Sequence, residues 1–439
     1  MYVLYTLCLL LGGLALLPHI LWRGLRGATY HHDLAERLGY LPWVAMPSVR
    51  GCVWFHAASV GEVQGIKPII ASVHADHPTL PLILSVFTPA GKRMAQSLIP
   101  EALHIFVLPL DLPWLMRSLM RHLHPRALIV QETELWPNLL RAAASHGIPV
   151  ALVNGRLSPR GFRRNCWIRP FMRRVLAHVT LFLVQSEVGA QRFQHLGADS
   201  TRVHVMGNTN IDRALCAAAQ PRPAPLLAPL LHGRRVLVAG STHEGEETIL
   251  LTVYRRLVRD YPDVLLVLAP RHLERAATVV RHVQAQGCYA FRRSQWEPGQ
   301  ACMLPETSVL ILDTMGELAA LYSLCTVAFI GGSLVPIGGH NALEAAVFAK
   351  PLIFGPYMYH FPELAALLVQ AGGALQVRDE AEFSTHLAAL LACPATGKAM
   401  GEAALHALIA NSGALERTRQ AINALLRTSQ APRMHSEER

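Results

Sequence analysis

Along this chain, short apolar or β-branched runs are followed by turn residues and then by helical patterning, repeatedly. The first set of runs is Val53–His56, Leu82–Ser85, His104–Val107, Ala127–Val130, Val150–Val153, Leu181–Val184 and Val203–Val205. The second is Arg235–Ala239, Val264–Ala269, Val309–Leu312, Val327–Ile330 and Pro351–Phe354. Strands of a parallel sheet read this way, because helices cover both faces and leave no polar side. Leu364–Val369, Glu382–Leu391 and Ala403–Ile409 pattern as helices, and Ala414–Arg427 as a last amphipathic one. Between the sets, residues 214–233 are rich in Ala, Pro and Leu and read as a linker; Thr428–Arg439 is polar and reads as a frayed end. The pattern predicts an α/β protein with two doubly wound, Rossmann-like domains, residues 30–213 and 234–410, and a closing helix, 411–427, packed back on the first domain. Such domains take ligands outside the carboxyl ends of their strands, so donor and acceptor are expected to meet in a cleft between them.

The first 22 residues break the pattern. Met1–Trp22 is apolar, with no formally charged side chain before Arg23. About 20 such residues span a bilayer. Arg23 and Arg26 would hold the following chain on the cytoplasmic side. The expectation is an N-terminal transmembrane helix over residues 1–22, with the rest of the chain on the cytoplasmic side. A cleaved signal peptide fits less well, for want of a basic leader and a small-residue cleavage site. Gly12, Gly13 and Pro18 weaken the span and leave a buried or interfacial helix as a third reading.

Composition narrows the partners. Of 439 residues, 51% are hydrophobic and 16% charged, which excludes a disordered chain. A formal charge of +10 calls for an anionic partner. Nucleic acid is the weakest choice, since no helix-turn-helix, zinc finger or aromatic RNA-binding signature occurs. The 8 cysteines show no Cys-x-x-Cys or Cys/His ligand spacing and read as reduced thiols.

Candidate chemistry lies after the strands. Val327–Glu344 reads as strand, glycine-rich loop and helix; Gly331, Gly332, Gly338 and Gly339 let backbone N–H groups turn toward an anion. A helix opening at about Asn341 would add its dipole, with Asn341 and Glu344 on one face to read sugar hydroxyls. The segment suits a nucleotide sugar, and equally an ordinary strand–loop–helix corner. Gly240, Ser241 and Thr242 offer a second anion site, with Glu244 and Glu246 capping the next helix. Pro270, Arg271 and His272 end another strand, and Glu317 begins a helix after Asp313. No Asp-x-Asp motif occurs, so no metal site is expected; His243, His272 and His340 read as structural. In the first domain His56–Val63 places Glu62 at a strand's carboxyl end, either as a general base or as the acid of a Ser59–Glu62 capping box. Thr88, Lys92 and Arg156 lie in loops that would line an acceptor or simply turn, and Glu132–Asn138 pairs two acids at a strand–helix junction. Arg156, Arg160, Arg163, Arg164, Arg169, Arg173 and Arg174, interleaved with Phe162, Trp167 and Phe171, suit phosphates or a phospholipid headgroup zone, or form a solvated helix face.

Taken jointly, HAASVGEV (56–63), PLDLPW (109–114), ETELWPNL (132–139), NGRLS (154–158), AGSTHEGEE (239–247), PRH (270–272), DTMGELAALY (313–322) and GGHNALEAA (338–346) resemble the 3-deoxy-D-manno-octulosonic acid (Kdo) transferases of Gram-negative bacteria. The resemblance runs over nearly the whole chain. It implies a GT-B glycosyltransferase fold and transfer of Kdo from CMP-Kdo to a tetraacyl lipid A precursor (lipid IVA) in lipopolysaccharide biosynthesis, inverting and without a metal or other cofactor. It implies that the membrane is the inner one and that the cytoplasmic domains are catalytic. It implies Glu62 as the catalytic base. It implies CMP contacts at Pro270, Arg271, Met315, Gly316, Glu317, Asn341, Ala342, Leu343 and Glu344. One departure is Gly207–Asp212, where the family usually has a lysine and a phenylalanine and this chain has Asn210 and Ile211. Two rivals remain: a GT-B transferase using a UDP-sugar and a lipid carrier, and a non-catalytic anchored lipid-binding protein of the same fold.

Overall fold

The structure is a computed structural model that describes residues 1–24, 34–220, 227–297 and 304–428. It divides into two units, Met1–Arg213 with Ser412–Arg439, and Ala214–Asn411.

Unit 1 is built on strands β1 (Val53–Ala57), β2 (Leu82–Val86), β3 (His104–Val107), β4 (Ala127–Gln131), β5 (Val150–Gly155), β6 (Leu181–Val184) and β7 (Val203–Val205). They form one parallel sheet in the order β3-β2-β1-β4-β5-β6-β7. Phe55 of β1 lies in register with Leu84 of β2 and Ile129 of β4. Every residue of β1, β2, β4 and β5 is buried, as expected of a sheet covered on both faces. One face packs Phe55, Ile129 and Val153 against Ile66, Ile69, Ile70 and Val73 of helix Val60–Asp76. The other gathers Trp54, Phe106, Leu128, Leu152 and Phe182.

The closing helix, Ala414–Thr428, belongs to unit 1 and adds Ile422, Leu425 and Leu426 to the first of these cores. Asp212 fixes its start by accepting from the N–H groups of Gly413 (2.5 Å) and Leu415 (3.0 Å). Arg419 and Asn423 then reach Asp76 on helix Val60–Asp76.

Unit 2 repeats the plan with β8 (Arg235–Thr242), β9 (Val264–Pro270), β10 (Tyr289–Arg292), β11 (Ser308–Ile311), β12 (Val327–Ile330), β13 (Leu352–Phe354) and β14 (Ala374–Gln376). The order is β10-β11-β9-β8-β12-β13-β14, again parallel. The periodicity does not predict β10 and β14, the two edge strands. Neither is a continuous apolar run: β10 ends on Arg292 and has Tyr289 51% exposed, and β14 is only 3 residues long and ends on Gln376.

Two expectations are corrected. The segment that reads as a linker begins inside a helix, Thr209–Ala219, because its alanines are good helix formers; residues 221–226 of it lie outside those described. The transmembrane anchor is overturned: residues Tyr2–Gly24 form a helix, yet among the described residues no helix is long and apolar enough to cross a membrane. Its first turns instead dock on unit 1. Tyr5 O–H donates to Asp111 (3.0 Å), Asn138 donates to Thr6 (3.2 Å), and Tyr2 lies against Phe171 (5.3 Å between centroids) with the Arg141 guanidinium 4.7 Å from its ring centre. Val3, Leu4, Leu7, Leu11 and Leu14 of the same helix stay exposed.

Candidate active site

In an open parallel sheet, ligands bind where neighbouring strands run their connections to opposite sides. In unit 1 that point lies between β1 and β4. The first turn of the helix after β1 carries Glu62 and the loop after β4 carries Glu132 and Glu134. Ser59 caps helix Val60–Asp76, and the Glu62 carboxylate turns back on the same loop. It accepts from Ala58 N–H (2.9 Å) and from Ser59 O–H (3.0 Å). The capping reading of Glu62 holds, and the cap fixes where the carboxylate sits. Burial pushes Glu62 up to about 7, the charge of Glu134 and, less, that of Glu132 push the same way, and the two hydrogen bonds oppose them. A carboxyl poised near neutrality can take a proton at working pH.

Glu134 is held by a chain of buried polar groups. Trp136 Nε1–H donates to Glu134 (3.0 Å) and to His56 Nε2 (3.1 Å). Because Nε2 accepts, the neutral His56 ring carries its proton on Nδ1, facing Ser85 Oγ at 2.8 Å. Ser85 accepts also from Trp54 Nε1–H (2.8 Å) and donates to Phe55 O (3.4 Å). Pairing of acids is visible in the sequence; this wiring, across residues 31 and 80 positions apart, is not.

Other acceptor-side candidates fall around the same strand ends. Thr88 caps the helix Pro89–Leu98 and donates to Ala58 O (3.3 Å), beside Ser59. Both cations are already paired: Lys92 with Glu36 (2.8 Å) and Arg156 with Glu132 (2.7 Å). Glu132 (φ 55°), Asn154 (φ 52°) and, in unit 2, Ser241 (φ 57°) are left-handed non-glycine residues at the ends of β4, β5 and β8. Such strain concentrates at ligand sites.

In unit 2 the switch point lies between β8 and β12. Gly240 and Ser241 end β8, and Gly331 N–H bonds Gly240 O (2.8 Å), drawing the two loops together. Thr242 is buried and donates to Glu247 (3.1 Å). The glycine loop does cradle an anion, but the anion is the protein's own. Glu246, fully buried, accepts from the N–H groups of Gly332 (2.7 Å), Ser333 (2.9 Å) and Leu334 (3.0 Å), and from His243 N–H (3.0 Å). The expected helix dipole at Asn341 is also reduced: the helix is Leu343–Ala346, one turn, with Asn341 Oδ1 accepting from Leu343 N–H (3.2 Å). Ala342 and Leu343 are buried, while Glu344 is exposed on that turn.

The remaining donor-side candidates sit at neighbouring strand ends. Pro270 ends β9, and Arg271 N–H bonds Thr242 O (3.0 Å), with the Arg271 side chain exposed. Met315 is 80% exposed beside Gly316 (φ 86°). Glu317 is gripped by Arg293 through both oxygens (2.9 and 2.8 Å) and by Thr314 (2.6 Å). Among the described residues no group of three His, Cys, Asp or Glu side chains is arranged to hold a metal ion.

Comparison with known proteins agrees with this layout. Residues 32–213 match the family model described as 3-deoxy-D-manno-octulosonic-acid transferase (kdotransferase). A 3-deoxy-D-manno-octulosonic acid transferase of Haemophilus influenzae is 33% identical over 416 residues, 94% of this chain and 96% of that one. One of Bordetella pertussis is 33% identical over 431 residues, 95% of this chain and 98% of that one. Among solved structures, a putative UDP-N-acetylglucosamine 2-epimerase from Listeria monocytogenes superposes with TM-score 0.63 over 87% of this chain and 98% of its own, at 14% identity, a likeness of fold alone.

Proposed function

The chain belongs to the 3-deoxy-D-manno-octulosonic acid transferase family, and on that premise we propose that it transfers Kdo from CMP-Kdo to the sugar of a lipid A precursor, with Glu62 as general base. The observation that carries this reading is the environment of Glu62, a carboxyl held at the switch point of unit 1 and pushed up to about 7. Glu62 takes the proton of a primary sugar hydroxyl as that oxygen attacks the anomeric carbon of Kdo. CMP departs from the opposite side, so the configuration inverts. The donor side rests on unit 2, where Arg271 and the loops after β8 and β12 face the leaving phosphate, and Glu344 reads sugar hydroxyls.

On the acceptor side, the helices Pro159–Trp167 and Arg169–Leu176 present Arg160, Arg163, Arg164, Arg169, Arg173 and Arg174, with Trp167 87% exposed among them. Arginine forks on the same helices as an exposed indole suit the phosphates of a lipid A precursor lying in a phospholipid surface. Turnover of the purified protein with in situ generated CMP-Kdo and tetraacyl lipid A precursor tests the proposal. A product heavier by one or more Kdo units supports it. Displacement of the bound donor by UDP and not CMP, or lipid binding without turnover, overturns it in favour of the respective rival.

A further inference from the structure

The loops that converge in unit 2 carry a set of imidazoles. His243 follows β8, His272 follows β9 and His340 follows β12. His360 lies against the same glycine loop, 2.5 Å from where a Cβ on Gly338 would sit. His243 Nε2 and His340 Nε2 are 2.8 Å apart. Their planes differ by 3° and their centroids are 5.1 Å apart. Those values together mean that the rings meet edge to edge in a single plane. One Nε2–H donates and the other Nε2 accepts, so the pair shares one proton at that contact. His272 stands across His243 at 82° and 5.9 Å.

The surroundings keep this pair neutral when no ligand is bound. Burial, then His243, Arg271, His360 and His272, push His340 down to about 4. Burial and His272, together with Arg275 and Arg271, push His243 down as well, against the one acid that opposes them, Glu247. Glu247 is itself neutralised by Arg275 (2.9 Å). Meanwhile Glu246 uses the backbone N–H groups of Gly332, Ser333 and Leu334. An anion arriving at these loops finds those donors spent and a crowded, uncharged imidazole pair beside an arginine.

We infer that the His243–His340 pair is a proton-coupled phosphate contact, donating with Arg271 to the phosphate of the cytidine nucleotide and taking one proton from solvent as that anion binds. The inference rests on the donor reading proposed above. The proton joins the ring nitrogen not engaged in the inter-ring bond; the resulting imidazolium donates to a phosphate oxygen; no covalent bond of the nucleotide is made or broken. A phosphate dianion stabilises the imidazolium that the free site disfavours, whereas a neutral nucleoside does not. The site thereby binds the charged nucleotide without standing permanently charged.

Calorimetry of the full-length protein in buffers of different ionisation heat tests this, with CMP and cytidine as the probes. At about pH 7.5 the phosphate of CMP is a dianion, its second pKa being about 6, and a neighbouring Arg271 lowers that value further, so a proton taken up on binding goes to the protein and not to the phosphate. Expected is uptake on the order of half a proton or more with CMP and none with cytidine. His340→Asn and His243→Asn should each lose the uptake and about tenfold or more in CMP affinity, with cytidine affinity unchanged. Wild-type protein that binds CMP with no more proton uptake than cytidine overturns the inference, with no variant needed. Variants that keep both uptake and affinity overturn it too. Protein that binds no CMP at all overturns the donor reading itself.

Discussion

Glu62 shows how a residue's chemistry follows from what surrounds it. The sequence places an acid three positions after Ser59, which suffices for a cap; burial and Glu134 raise its proton affinity, as the base we propose requires. Glu62→Gln should lower turnover by about 10²–10⁴ and leave CMP affinity unchanged, measured by product mass and by calorimetry. Normal turnover in that variant would remove Glu62 from the mechanism. The wild-type kcat/KM should rise with pH and level off above about 7, since only the ionised carboxylate accepts a proton. Stability runs the other way. The folded protein holds a proton on Glu62 that the unfolded chain has lost above the ordinary glutamate range, so this group's contribution falls as pH rises from there to about 7. Glu62→Gln escapes that cost, and its Tm at pH 8 should equal or exceed the wild type's; a clear drop would mean the carboxylate's hydrogen bonds outweigh its burial.

Among the elements, the loop–strand contacts of unit 2 are the most exacting. A Cβ on Gly240 would lie 1.8 Å from Tyr322 Oη, at the carboxyl end of the central strand β8. Gly240→Ala should destabilise unit 2 by about 1–3 kcal/mol in urea melts. Glu246→Ala should cost more, about 3–5 kcal/mol, because it orphans the N–H groups of Gly332, Ser333 and Leu334 in a buried loop. An unchanged midpoint would mean that the loop finds other acceptors. The capping acid and the glycine loop are both visible in the sequence, 86 residues apart, but nothing in either segment says that one fills the other.

At the scale of the whole molecule, unit 1 is discontinuous: its core is closed by Ile422, Leu425 and Leu426 from the far end of the chain. Ile422→Ala should destabilise unit 1 by about 2–5 kcal/mol while CMP binding, which we propose unit 2 carries, survives. Loss of both together would show the units to be energetically inseparable.

Parallel α/β architecture, the positions of the central strands and the acids at their carboxyl ends were legible from sequence, because a strand buried on both faces must be apolar throughout and a turn must follow it. Strands β10 and β14, which mix apolar with polar residues and end on Arg292 and Gln376, carry no such mark. The charge-free N-terminal segment promised a membrane span, but among the described residues no helix is long and apolar enough to cross a membrane, and only the structure shows Tyr2, Tyr5 and Thr6 in contact with unit 1. Proximity of Glu134 to Glu62, of Glu246 to the glycine loop and of His243 to His340 also belongs to the tertiary structure. Strand order alone brings those loops together, and a carboxyl or imidazole takes its proton affinity from the neighbours it meets there.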